Sequence, residues 1–168
     1  MNILETEPIS TVRRNHAIEH ATVHVLTARD PSACLIGRAD MTGFNIYGEV
    51  SPDALEAAAR EAVARLQSGE SALAIHPRCG TNLVVVGLLT ALAAVFALGR
   101  KPSLKKIPDA ILATTFAAFV AQPLGLTLQQ RVTTSPDARG ARIGAVRQSP
   151  MGQVQHVDIV WESSPAFV

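Results

Sequence analysis

The sequence predicts an α+β protein, a small discontinuous polar α/β domain interrupted by a two-helix transmembrane hairpin. Three observations predict it. Two long runs, Asn82 to Gly99 and Ala110 to Gln130, contain no ionisable side chain and are separated by a basic turn. Segments that alternate apolar and polar residues, as half-buried strands do, lie on both sides of those runs. Charged residues form 17% of the chain, against about 25% in an average soluble domain, and the mean hydropathy is positive at +0.22.

The first sixteen residues, MNILETEPISTVRRNH, hold no apolar core of the kind a secretory signal needs, so insertion is expected from internal segments. From Thr11 to Ala28 apolar residues recur at helical spacing; Ser10 or Thr11 can cap the start, and Asp30-Pro31 stops the helix. Two short strands follow, Ala33 to Gly37 and Gly43 to Val50, and the simplest arrangement is a hairpin. In the second, Phe44, Ile46 and Gly48 alternate with Asn45, Tyr47 and Glu49. Ser51-Pro52-Asp53 opens the next helix with a capping serine, a proline at the first helical position and an acid at the positive helix end. Leu55, Ala58, Ala59, Ala62, Val63 and Leu66 form its apolar stripe, and it ends near Ser68-Gly69.

The runs LVVVGLLTALAAVFAL, ending at Gly99-Arg100-Lys101-Pro102, and AILATTFAAFVAQPLGLTLQ approach the roughly 20 residues that a bilayer core requires. Gln122 and Pro123 in the second are tolerable if neighbours satisfy the freed backbone. Finally, Ala141 to Arg147 and Gln153 to Glu162 alternate like strands around a Ser-Pro-Met-Gly turn and are expected to pair with the earlier strands. The expected division is a polar portion over residues 1–79, the hairpin over 80–130, and closing strands over 131–168.

A net charge of +1 implies no global attraction to nucleic acid, and two cysteines are too few for a disulfide framework. The expected partner is the lipid bilayer. Gly87, Ala91 and Ala94 would also allow close packing in a homo-oligomer or with a membrane partner. The expected location is the cell inner membrane, with two passes. Arg100, Lys101, Lys105 and Lys106 argue for a cytoplasmic loop. Translocating the long terminal portions argues the other way, as do Arg65, Arg78, Arg131, Arg139 and Arg142, so cytoplasmic termini are favoured.

Chemistry concentrates in two places. Arg-Asn-His-Ala-Ile-Glu-His-Ala-Thr-Val-His carries His16, Glu19, His20 and His24, three of the five histidines. On a helix His16 and His20 lie on one face about 6 Å apart and can share a metal ion. His24 follows with a drift of about 40° and could join them or sit beside them. His-x-x-Glu-His is the inverted zinc-hydrolase pattern, in which the glutamate takes a proton from metal-bound water. The bland alternative is an amphipathic helix with hydrogen-bonded histidines. In the second place, His76-Pro77-Arg78-Cys79-Gly80-Thr81-Asn82, a short loop can present an imidazole and a thiolate. Its bland alternative is a membrane-entry loop with a buried free cysteine. Taken together, His16, His20, His76 and Cys79 supply a full tetrahedral set, with zinc as the expected ion. Cys34 reads as a core strand residue and His156 as a surface residue, and no phosphate loop or nucleophile elbow is present.

HAIEH followed by HPRCGTNL and a membrane run resembles bacterial membrane families of unknown function described as predicted metal-dependent enzymes. Their pattern is a His-x-x-Glu-His helix, then a His-Pro-x-Cys-Gly-Thr loop opening a transmembrane helix. The resemblance spans roughly residues 13 to 98. It implies a membrane protein with a metal site at His16, His20, His76 and Cys79 and with Glu19 as base, but no particular reaction. The additional membrane segments of longer relatives are missing here. Two functions are therefore expected as rivals. One is a metal-dependent hydrolase at the membrane surface. The other is a non-catalytic membrane scaffold or accessory subunit with a structural metal or none.

Overall fold

The computed structural model describes residues 2–100, 103–148 and 154–162. The Ser149–Gly152 turn and Lys101-Pro102 of the basic turn lie outside these residues. The chain divides into two compact units. One comprises Met1–His76 with Gln130–Val168, and the other Pro77–Gln129.

In the first unit, helix α1 (Ile9–Arg29) is followed by strands β1 (Ile36–Ala39) and β2 (Gly43–Tyr47) and helix α2 (Pro52–Gln67). A 3-10 turn (Ser71–Ala74) comes next, and the unit closes with β3 (Ala141–Gln148) and β4 (Val154–Trp161). The four strands form one antiparallel sheet in the order β1-β2-β4-β3. The closing strands thus pair with the early hairpin, as their alternation suggested. Phe44 and Ile46 of β2 and Val157 and Ile159 of β4 point into the core, where they meet Ala17, Ile18 and Ala21 of α1. All six residues of the α2 stripe are buried, the Ser51 hydroxyl accepts from the Ala54 N–H, and Pro52 stands at the helix start. Burial of each large aliphatic side chain contributes about 1.5–3 kcal/mol.

Three local expectations are corrected. Helix α1 begins at Ile9, so Ser10 and Thr11 sit in its first turn, and their hydroxyls donate to the Glu7 carboxylate instead of capping. Strand β1 starts only at Ile36, and β2 ends at Tyr47. Cys34 is therefore an exposed loop residue and not a core strand residue, because the chain has not yet entered the sheet. His156 lies on the outer side of β4, where its Nδ1 meets the Asn45 side chain at 3.0 Å.

The second unit is a helical hairpin, α3 (Gly80–Leu98) and α4 (Ile107–Leu128). Both helices are long and apolar enough to span a membrane. Their large side chains face outward: Leu83 is 71% exposed, Phe96 81% and Phe119 77%. The hydroxyls of Thr90 and Thr114 donate to the carbonyls of Val86 and Ala110 one turn back, so neither leaves an unsatisfied group in an apolar medium. Lys106 donates to the Leu98 carbonyl at 2.9 Å, a cation placed at the negative end of α3. Helix α4 continues through Pro123.

Candidate metal centre

Helix α1 sets His16, His20 and His24 one turn apart on one face, and the surrounding unit fixes each ring. The Nδ1–H of His16 donates to the Thr133 carbonyl at 2.9 Å, and that of His20 to the Ala74 carbonyl at 2.8 Å. A carbonyl can only accept, so in the neutral ring the proton is on Nδ1 and the lone pair on Nε2. Both rings are thereby locked in the tautomer that ligates through Nε2. His24 is held by its other nitrogen, with Nε2 at 2.9 Å from the Ile75 carbonyl. Its lone pair is therefore on Nδ1. The ring centroids run His16–His20 4.3 Å, His20–His76 5.9 Å and His76–His24 4.7 Å.

Glu19 is buried and brings Oε2 to 3.7 Å from Nε2 of His16, the nitrogen that carries the lone pair. Room for its carboxylate comes from Gly37 of β1, where an added Cβ would fall 1.9 Å from Glu19 Oε1. Arg13, one turn before His16 and Ala17, is also buried. Its guanidinium donates to the carbonyls of Leu4 at 2.9 Å, Val132 at 2.7 Å and Thr134 at 3.1 Å. The two residues flanking Thr133 are thus tied to the same helix that carries His16, which orients the carbonyl that fixes His16. Neither residue was legible in the sequence. An arginine at a helix start reads as solvated, and a glycine in a strand gives no hint of which side chain approaches it.

The His76–Asn82 segment places Cys79 at the N-cap of α3, where its buried sulfur accepts from the Thr81 N–H at 3.4 Å. A helix N-terminus suits the thiolate, the form that ligates metals. Asn82 donates to the Pro77 carbonyl at 2.7 Å and accepts from Gln129 at 2.7 Å. Gly125 leaves the space for it, since a Cβ there would lie 2.3 Å from Asn82 Oδ1. Asn82 thus holds the loop carrying Cys79 against both ends of the hairpin.

His16 and His20 stand together on α1 with their rings 4.3 Å apart and both lone pairs on Nε2, a pair that could share a metal ion. His76, the other histidine expected from the sequence, has its ring nearer to His24 than to His20. His156 is engaged on the sheet with Asn45 and Asp158.

Comparison with known proteins places these residues in a family. The chain is 42% identical over 136 residues to an uncharacterised protein of Picosynechococcus sp. (strain ATCC 27264 / PCC 7002 / PR-6). The match covers 74% of this chain and 66% of that protein, so the chain spans just under two thirds of the relative's length. No solved structure matches. A family profile matches residues 11–146, a stretch that includes all but the first two residues of α1, Gly37, the His76–Asn82 segment and both apolar helices. The chain belongs to the family defined by the domain of unknown function DUF6391.

Proposed function

We propose that this protein is a zinc-dependent membrane enzyme, a hydrolase working where the apolar hairpin enters the bilayer. The observation that carries the reading is the His16–His20 pair, rings 4.3 Å apart, with Glu19 buried beside the ligating nitrogen of His16; the thiolate of Cys79 is the third ligand of the proposal. Two imidazoles and one thiolate are a donor set that suits zinc. Three protein ligands leave a fourth position open, as a catalytic centre requires and a structural centre does not. Zinc, when bound, supplies Lewis acidity and makes a coordinated water acidic. The residues of the chain supply the rest. Thr133 and Ala74 hold the two rings in the ligating tautomer, and Glu19 accepts the proton of the attacking water at Oε2. The Gly37 slot keeps that carboxylate in place.

A second reading is a non-catalytic scaffold stapled by a closed four-ligand centre. It draws on His76, which is three residues before Cys79 and has its ring 5.9 Å from that of His20. Cobalt substitution of the detergent-purified protein separates the two. The catalytic reading expects about one ion per chain and a thiolate-to-cobalt charge-transfer band that is absent in Cys79→Ser. Azide should change the visible spectrum by entering the open position, and Glu19→Gln should keep the ion. An azide-silent spectrum that shifts in His76→Ala favours the scaffold. No stoichiometric ion in wild type or in His16→Ala/Cys79→Ala ends both.

The proposed location is the inner membrane with cytoplasmic termini, supported by the two apolar helices and by the length of the polar portions on either side of them. In a Cys34→Ser background, Lys105→Cys should react with an impermeant thiol reagent applied to intact cells. Reaction only after permeabilisation would reverse the orientation.

A further inference from the structure

The row of imidazoles does not end at His20. We propose that His24 and His76 form a second, imidazole-only subsite for a divalent transition-metal ion, distinct from the centre at His16, His20 and Cys79. Their rings stand 4.7 Å apart, nearly as close as the His16–His20 pair at 4.3 Å. His24 is also pre-oriented. Its Nε2–H is spent on the Ile75 carbonyl, so Nδ1 is the ligating atom.

One short stretch of chain organises both sites. The Ala74 carbonyl orients His20, the next carbonyl, Ile75, orients His24, and the residue after that is His76 itself. The rings of His20 and His76 are 5.9 Å apart, so an ion leaving one subsite would meet an imidazole of the other. The donor sets differ in kind. The Cys79 centre has a thiolate and selects zinc, whereas a pair of neutral imidazoles follows the general divalent order, with copper(II) above zinc. Two ligands also hold an ion less firmly than three. The subsite is therefore a weaker, exchangeable position next to a tight one, suited to receiving an ion before it is passed on or to assisting at the tight centre. This inference stands on the His24–His76 geometry and survives if the reaction proposed for the first centre is wrong.

The test is a zinc titration of the full chain in detergent, with metal counted before and after a weak competing chelator. Wild type should bind two equivalents, one of which the chelator removes. His24→Gln keeps a donor for the Ile75 carbonyl but loses the ring lone pair. It should lose the weak equivalent and keep the tight one, and Cys79→Ser should do the reverse. With copper(II) added alone to His16→Ala/Cys79→Ser, the electron paramagnetic resonance spectrum should show coupling to two nitrogens that disappears when His24→Gln is added. A single chelator-resistant equivalent in wild type, or two undiminished equivalents in His24→Gln, would overturn the subsite without touching the first centre. A single equivalent that the chelator removes and that His24→Gln abolishes would keep the subsite and count against the first centre.

Discussion

The two units of this chain are built inside out with respect to each other. In the α+β unit the fully buried large side chains include Phe44, Ile18, Ile46 and Leu55. In the hairpin the best-buried large side chains are Asn82 and Gln129, at 3% and 0% exposure, while leucines and phenylalanines cover the outside. The first arrangement is driven by removing apolar surface from water. The second keeps its apolar surface outside and bonds its polar side chains to one another inside, an arrangement that suits helices associating in lipid. Both units use a glycine to house a buried polar side chain, Gly37 for Glu19 and Gly125 for Asn82.

The largest test of the contrast removes the same atoms from each unit. Leu55→Ala should cost the α+β unit about 3 kcal/mol, the usual size for a core leucine, whereas Leu88→Ala on the outside of α3 should leave thermal unfolding in detergent almost unchanged. Equal losses would mean that the outer face of α3 is packed against protein.

Asn82→Leu sharpens the comparison from the other side. It makes the hairpin more apolar yet removes the bonds to Pro77 and Gln129, so we expect a loss of about 2 kcal/mol. A stabilised hairpin would show that the polar node contributes nothing to its packing. Gly37→Ala should cost about 1–2 kcal/mol by overpacking. It should also change the cobalt spectrum more than it changes unfolding, because the carboxylate it displaces lies beside His16. An unaltered spectrum would separate Glu19 from the metal centre.

The smallest effect is on acidification. Hydrogen bonds from Ser10 and Thr11 hold Glu7 below the usual carboxylate range, and the Arg139 side chain does the same for Asp137. A lowered folded-state value means that the stabilisation is present above the ordinary carboxylate pKa of about 4 and is lost as pH falls through the folded value. Both groups belong to the α+β unit. Acid should therefore loosen its tryptophan signal, from Trp161, before hairpin helicity changes. The reverse order would contradict the assignment.

The fold could be read from the sequence wherever periodicity is local. The α2 stripe, the Phe44–Ile46 alternation and the two uncharged runs each state their element directly. Boundaries were less legible: one shifted strand start moved Cys34 from an expected core position to an exposed loop. The sequence also named the residue types from which a metal centre is made, because His16, Glu19 and His20 fall on a single helical turn. It could not say which ring nitrogen ligates, since that depends on carbonyls 117 and 54 residues away. Nor could it show the slot at Gly37, the clamp of Arg13 or the pairing of His24 with His76. Helical spacing depends on neighbours a few residues apart, so it is written in the chain. Tautomers, close approaches and ligand grouping depend on residues brought together by the sheet and the loops, so only the tertiary structure decided them.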